Sequence, residues 1–387
     1  MEHVLHVLAS LNRGGAETRI VELYREIDRN RLQFDFLVHQ PGEHSYDEAI
    51  KSMGGLKYTI SDPRAQGVLV HFIDILRMLR REGPFRAVHA HTSYHAGLAL
   101  LAARLAGVKY RVAHARTTST FESRRPIKRM IVALGRALIR ANATSLLAIS
   151  EDAAKFVFGN RVVRQGRVTI VPNAINLEPY ACLCEDDNLA MRKQLAIPRD
   201  ALVLGHVGRF SFMKNQEFLL IVLGKLRASG VDARLILVGD GERRRRVESL
   251  SRNAGIDEFV NFLGVRDDIA RLNRMFDVYA MPSLFEGLGG AAIEAQAAGT
   301  PCVLAQGIPK SVDMGLGLVE FLSLNDAQEW ADAVLRDAGK PRVPFVTICD
   351  AFQRLGFTIV NERQMFLSSY GMKLDDGIVS RKNRKCK

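Results

Sequence analysis

The sequence predicts an α/β chain built from two doubly wound, Rossmann-like domains that face each other across a cleft. Three observations predict it. Short β-branched or leucine-rich runs alternate with amphipathic segments over most of the length, as parallel strands and crossover helices do. The alternation breaks off near Pro172-Asn173 and starts afresh at Val203. The length of 387 residues suits two domains at roughly 100–200 residues each.

The first strand is expected at Val4–Ala9, and the turn Asn12-Arg13-Gly14-Gly15 leads into a helix from Ala16 to about Ile27. Phe34–His39, Tyr58–Ile60, Ala87–Ala90, Tyr110–Ala113 and Leu146–Ile149 read as further strands, with helices such as His71–Arg81 and Ala96–Ala106 between them. These units make one doubly wound domain over residues 1–172. The Pro-, Cys- and acid-containing stretch 173–200, ending in Pro198-Arg199-Asp200, reads as an interdomain linker. A second domain, 201–361, opens with Val203–Val207 and a helix over Glu217–Ala228. Leu235–Val238, the turn Gly239-Asp240-Gly241, a helix to Ala254 and strands at Val260–Leu263 and Val278–Met281 follow. A glycine-rich turn, a helix over Ala291–Ala298 and a strand at Pro301–Leu304 come next. Residues 362–387 are expected to hold a C-terminal helix returning to the first domain and a disordered tail, Arg381–Lys387, with five basic residues in seven.

Composition narrows the function classes. With 47% apolar and 25% charged residues, a disordered chain, a disulfide-dense scaffold and a collagen-like repeat are excluded. Apolar stretches such as Leu98–Ala103 and Phe218–Leu223 fall short of the ~18 residues of a membrane-spanning helix, and Met1–Leu11 makes a poor signal peptide. Five cysteines without repeated Cys-x-x-Cys spacing fit reduced thiols of a cytoplasmic protein. Cys182-x-Cys184 lacks a second ligand pair for a metal.

The densest candidate for chemistry is Ser283 to Ala295, between a strand and a helix. Three glycines in four positions, Gly287, Gly289 and Gly290, let backbone N–H groups approach a ligand, and the following helix offers the positive end of its dipole to an anion. Glu286 and Glu294 either accept hydrogen bonds from sugar hydroxyls or are solvated surface acids; the residues alone leave both readings open. Arg209 and Lys214, in the loop after the strand that opens the second domain, either reach one polyanion together or are two ordinary basic residues of a loop. A diphosphate leaving group needs such a clamp, because charge builds on it as the bond breaks. Gly14-Gly15 before Ala16-Glu17 either brings amides to the same diphosphate or is simply a tight turn.

These residues, with Val88-His89-Ala90-His91, Val112-Ala113-His114, Ala148-Ile149-Ser150-Glu151, Val171-Pro172-Asn173-Ala174-Ile175, Leu237-Val238-Gly239-Asp240-Gly241 and Phe262-Leu263-Gly264, occur in an order and spacing that resembles the nucleotide-sugar-dependent glycosyltransferases of family 4. The chain is especially similar to bacterial members that build capsular and exopolysaccharide repeat units. The resemblance implies the GT-B fold and a retaining transfer from a nucleotide-sugar, uridine being the expected base, to a lipid-linked saccharide acceptor, with no essential metal or cofactor. It implies that Arg209 and Lys214 hold the donor diphosphate, Glu294 the ribose, and Glu286 the donor sugar. Amides at Leu288, Gly289 and Gly290 would meet sugar and phosphate, Gly14-Gly15 the diphosphate, and His114 would stand beside the reacting sugar; the other reading of His114 is a satisfied histidine at a strand end. Gly289-Gly290-Ala291-Ala292 departs from the proline and bulky aliphatics common in relatives. A GDP-mannose-dependent mannosyltransferase or another GT-B enzyme, such as a UDP-sugar epimerase, is the alternative; the pairing of Arg209/Lys214 with Glu286/Glu294 favours transfer.

Charge adds a surface. Subtracting 42 acidic from 54 basic residues gives +12, and between Lys109 and Arg140 nine basic residues meet one acid, Glu122. On a helix, Ile127, Met130, Ile131, Leu134 and Leu138 share a face opposite Arg125, Arg129, Arg136 and Arg140. Such a helix either docks on an anionic membrane surface or packs its apolar stripe on the first domain. With the implied acceptor, the expected location is cytoplasmic and peripheral on the inner face of the cell membrane. Arg243–Arg246 reads as a solvated helix face. The basic residues are not interleaved with aromatics, and no RRM, KH or zinc-finger spacing occurs, so nucleic acid is not an expected partner.

Overall fold

The computed structural model describes residues 1–12, 14–117 and 126–373. The chain divides into two compact units, Met1–Ala174 with the chain from Ile359 onward, and Ile175–Thr358.

The first unit holds seven strands: β1 (Glu2–Leu8), β2 (Leu32–Val38), β3 (Lys57–Thr59), β4 (Ala87–Ala90), β5 (Tyr110–Ala115), β6 (Ser145–Ala148) and β7 (Val168–Ile170). They form one parallel sheet in the order β3-β2-β1-β4-β5-β6-β7. β2 is buried along its whole length, as a strand covered on both faces must be. Its one carboxylate, Asp35, is satisfied by His3 Nδ1 at 2.7 Å and the Leu56 N–H at 2.9 Å. Val4, Leu8, Phe34, Phe36 and Tyr24 build the core on one face, and Phe366, Leu367 and Tyr370 of the returning chain complete it.

The second unit holds β8 (Leu202–Val207), β9 (Ala233–Val238), β10 (Val260–Gly264), β11 (Val278–Met281), β12 (Cys302–Ala305) and β13 (Val319–Leu322), parallel in the order β10-β9-β8-β11-β12-β13. In both sheets the winding reverses once, at β1/β4 and at β8/β11. Connections there leave toward opposite faces and open a crevice at the carboxyl ends of the strands.

Two short strands, β7 and β13, of three and four residues, are absent from the sequence reading. The stretch read as a linker is also different: the chain crosses between units at 174/175, and helices Glu178–Ala181 and Glu185–Gln194 belong to the second unit. Arg192 ties them in, donating to Asp277 Oδ2 at 2.8 Å and to the Ala201 carbonyl at 2.7 Å. The tail Arg381–Lys387 lies outside the described residues.

Close backbone packing explains one glycine in the second core. A Cβ on Gly205, in β8, would lie 2.1 Å from ring atoms of Phe276, and the ring is itself fully buried. Gly205→Ala is expected to destabilise the protein by about 1–3 kcal/mol, the cost of overpacking a filled core. A denaturant midpoint equal to that of the unmodified protein would contradict this packing.

Candidate active site

At the β8/β11 reversal, three loops are fastened to one another by backbone contacts. Gly208 N–H donates to Val238 O at 2.9 Å and Phe210 N–H to Asp240 O at 3.0 Å. Gly239 (φ +129) and Gly241 (φ +155) permit this approach, because a Cβ on either would stand 2.2 Å and 2.4 Å from the carbonyl oxygens of Gly208 and Phe210. Asn215, left-handed at φ 53, starts the helix Gln216–Ala228 and donates from Nδ2 to Pro282 O at 3.2 Å. Leu284 N–H donates to Met213 O at 2.8 Å. The loop after β8 is thereby bound to the loop after β11.

That binding sets the charged groups. Lys214 Nζ lies 2.6 Å from Glu286 Oε1, with both side chains mostly buried. Arg209 extends into solvent, 74% exposed, with a surface ion pair to Glu242 at 3.2 Å; such a pair contributes little. Beneath them Gln216, 1% exposed, donates from Nε2 to Arg209 O at 3.0 Å. His206 donates from Nδ1 to Ala280 O at 2.8 Å. Burial, and after it the Lys214 charge, pushes His206 down to about 4 against the opposing pull of that hydrogen bond.

Leu288 is buried, and Gly289 (φ +88) caps the helix Gly290–Ala297 without a side-chain hydrogen bond. Glu294, one turn on, is half-buried. Arg209, Lys214, Glu286, Leu288, Gly289, Gly290 and Glu294 therefore all belong to the carboxyl-end loops and the helix start of the second unit.

The first unit carries a separate polar array at its own reversal. Gly14 caps the helix Gly15–Glu26, and a Cβ on Gly14 would meet Glu17 Oε2 at 2.4 Å, whereas Gly15 has open space around it. Arg13 lies outside the described residues. His6 on β1 pairs in register with His89 on β4. His91, two residues further, and His114 on β5 point to the same side, because strand side chains alternate with period 2. His6 Nδ1 is 3.1 Å from His91 Nε2, and His89 Nε2 is 3.2 Å from His114 Nδ1. His89 Nδ1 meets Tyr370 OH at 2.7 Å, and Arg116 Nε donates to His91 Nδ1 at 3.1 Å.

In this array His114 has the environment of a satisfied strand-end histidine. It is 1% exposed and faces Phe366 edge-on, so in this conformation it does not reach a ligand. Of the four imidazoles only His91 has part of its surface exposed. The sequence reading gives no site role to His6, Arg116 or Glu362, and names His91 only within the motif Val88-His89-Ala90-His91. The available signal was the His-x-His alternation at the end of β4; the partners come from β1, β5 and the returning helix Ile359–Ser369.

Burial is the main reason all four histidines are held neutral, with the Arg116 charge and neighbouring imidazoles adding; His6 is pushed down to about 3. Nitrogens of His6, His89 and His91 lie within 4.8 Å of one another, as metal ligands would. Arg116 argues against that use. Its N–H occupies His91 Nδ1, which leaves neutral His91 protonated at Nε2 and without a lone pair to give. Cys184 is likewise occupied, capping the helix Glu185–Gln194 with Sγ 3.3 Å from Asp187 Oδ2.

The basic helix Pro126–Asn142 divides its apolar residues between the first unit and solvent. It packs through Gly135 and Ile139; a Cβ on Gly97 would be 2.8 Å from Gly135 O. Met130, Ile131 and Leu134 are left 66%, 46% and 61% exposed, beside exposed Arg129 and Arg140. Arg136 turns inward and donates to Phe156 O, so it is not part of an outer basic face. Arg125 and Glu122 lie outside the described residues. Among the described residues no helix is long and apolar enough to cross a membrane. Arg243 and Arg246 pair with Glu217 at 2.6 and 2.7 Å, and Arg244 with Glu248 at 2.9 Å.

The neutral histidines make stability depend on acid. A histidine with a folded pKa below its unfolded 6.5 takes up its proton first in the unfolded chain. Its contribution is whole above pH 6.5 and is lost as pH falls toward about 4 for His206 and about 3 for His6. The buried carboxyls of Glu17 and Glu362, raised by burial, act in the opposite sense. Five depressed histidines should dominate between pH 6.5 and 5, so urea midpoints are expected to fall steadily there; a flat profile would contradict their neutral burial.

Two family models match the chain: Glycosyltransferase Family 4 over residues 13–179 and Glycosyl transferases group 1 over residues 201–337. The chain is 39% identical over 379 residues to EpsF of Bacillus subtilis (strain 168), which bears the name of a glycosyltransferase, covering 97% of each protein. It is 27% identical to the Escherichia coli UDP-Gal:alpha-D-GlcNAc-diphosphoundecaprenol alpha-1,3-galactosyltransferase, over 68% of this chain and 69% of that one. Among solved structures, HepE of Anabaena in complex with UDP superposes with a TM-score of 0.78 at 20% identity, covering 96% of this chain and 100% of that one. Two parallel sheets of seven and six strands, of the same fold as these neighbours, make this a GT-B architecture. With both family models and a near full-length relative in agreement, the chain belongs to glycosyltransferase family 4.

Proposed function

We propose that the protein is a retaining glycosyltransferase that moves a sugar from a UDP-sugar to a lipid-linked saccharide at the inner face of the cell membrane, in exopolysaccharide assembly. The observation that carries this reading is the Lys214–Glu286 pair at the β8/β11 reversal, with the exposed Arg209 on the same loop as Lys214 and the start of the helix Gly290–Ala297 following Glu286. The comparisons support it in kind: the E. coli relative is named for a UDP-galactose donor and a diphosphoundecaprenol-linked acceptor, and HepE is described with UDP.

In this reading Arg209 and Lys214 neutralise the diphosphate as the bond to the sugar breaks, so that two side-chain cations do the work of a metal ion. Lys214 starts paired with Glu286, so an arriving donor finds a cation and a hydroxyl acceptor already side by side. Glu286 takes sugar hydroxyls, Glu294 takes the ribose, and the amides of Leu288, Gly289 and Gly290 take oxygens of sugar and phosphate. On the first unit, the family resemblance assigns Gly14-Gly15 to the diphosphate and His114 to the reacting sugar; of the four imidazoles there, His91 is the one with part of its surface exposed. The departing phosphate oxygen, and not a protein carboxylate, assists the acceptor on the same face of the sugar. Arg209→Ala and Lys214→Ala are each expected to lower kcat/KM for UDP-sugar turnover by about 2–4 kcal/mol. Wild-type turnover in both, or a product of inverted configuration by NMR, would sink the reading.

The exposed ridge Met130-Ile131-Leu134 beside Arg129 and Arg140 supports membrane docking, since an apolar stripe can enter the headgroup region while arginines meet anionic lipid. Replacing Arg129 and Arg140 together with Gln should weaken binding to anionic vesicles about thirtyfold, from about 1 kcal/mol per charge near the surface. UDP-sugar affinity in solution should stay unchanged. Vesicle binding indifferent to the substitutions and to salt would place the membrane contact elsewhere.

A further inference from the structure

The chain leaves its first unit after β7 and re-enters it at the helix Ile359–Ser369. Three first-unit side chains hold the outbound residues. Arg116 Nη1 donates to Asn173 Oδ1 at 2.7 Å, the Ala174 N–H donates to Glu362 Oε2 at 3.3 Å, and Arg19 donates to the Ala174 carbonyl. The next residue changes partners. Ile175 N–H donates to Phe357 O at 2.9 Å, and Ile175 bridges Thr358 in parallel, all within the second unit. Attachment therefore switches at the single peptide between Ala174 and Ile175.

Arg116 occupies the centre of the first-unit anchor. Its side chain is 5% exposed, and its guanidinium lies 6.0 Å from the Phe366 ring centroid. Nη2 stands 3.8 Å from Glu362 Oε1, too far for a hydrogen bond. A guanidinium only donates, so His91 Nδ1 must present its lone pair to Arg116 Nε. The proton of neutral His91 then sits on Nε2, because the hydrogen bond at one ring nitrogen decides the state of the other. His91 Nε2–H donates to His6 Nδ1, which places the His6 proton on Nε2 in turn. One planar cation thus orients two imidazoles and holds the residue just before the chain leaves the unit.

We propose that Arg116 is a positioning residue that couples the crossing residue Asn173 to the tautomer and orientation of His91. Lysine at 116 would keep the charge but lose the fork that serves both partners at once. Asn173 and His91 are each hydrogen-bonded to Arg116, so the hydrogen-bonded route from Asn173 to the ring runs through the guanidinium. The consequence for turnover rests on the glycosyl-transfer reading; the consequence for the tautomer does not.

The test uses the full-length protein labelled with 15N-histidine. Long-range proton–nitrogen correlation is expected to find His91 bare at Nδ1 and protonated at Nε2. Arg116→Lys should convert it to a mixture of tautomers, and Asn173→Ala should move both His91 ring-nitrogen signals. Asn173→Asp, which keeps the acceptor, should restore them. With UDP-glucose and UDP-galactose as probes, Asn173→Ala should lower kcat on the order of ten- to a hundredfold, the scale of a small misplacement, and leave the donor KM unchanged. A proton on His91 Nδ1 in the unmodified protein, unmoved ring signals in Asn173→Ala, or full kcat in that variant would overturn the proposal. Absence of any UDP-sugar turnover by the unmodified protein would count against the transfer reading instead, and the tautomer signals would still decide the role of Arg116.

Discussion

A parallel strand cannot be joined to its neighbour by a tight turn, so each strand in both sheets hands the chain to a crossover on one face. Where the winding reverses, at β1/β4 and β8/β11, consecutive crossovers go to opposite faces and the carboxyl ends of the central strands stay uncovered. The polar chemistry of the molecule collects there: the imidazole row with Arg116 in the first unit, and Lys214, Glu286 and Arg209 in the second.

The two reversals are built on opposite electrostatic terms. In the second unit charge is kept, with a mostly buried Lys–Glu pair and an exposed arginine. In the first unit charge is suppressed. Four imidazoles are forced neutral by burial, and a single guanidinium supplies the fixed positive charge among them. A row of neutral rings can be close-packed under Phe366 and Tyr370, which protonated rings in that space could not.

Much of the architecture was legible because it is written in local patterns. The strand cores Val4–Leu8, Ala87–Ala90, Val203–Val207 and Val278–Met281 sit where apolar runs predict them. The glycines at 239, 241 and 289 mark turns that only a residue without a Cβ can make. The order of motifs was enough to name the family. The less legible parts are those whose cause is distant in sequence. Helix Glu185–Gln194 joins the second unit through Arg192 and Asp277, 85 residues apart, and nothing in residues 173–200 alone announces Asp277.

The same distinction runs through the sites. Residue types and their spacing determined that Arg209, Lys214, Glu286 and Glu294 belong to loops and a helix start suited to a phosphate and hydroxyls, since chain connectivity alone puts them after β8 and β11. Tertiary structure decided which histidine is buried and which is reachable, that Arg136 turns inward while Met130 and Leu134 face out, and that Arg116 meets Asn173 and approaches Glu362. The physical reason is that hydrogen-bond partners and burial depend on which strands and helices lie side by side, and this pairing is set by the packing of segments up to hundreds of residues apart.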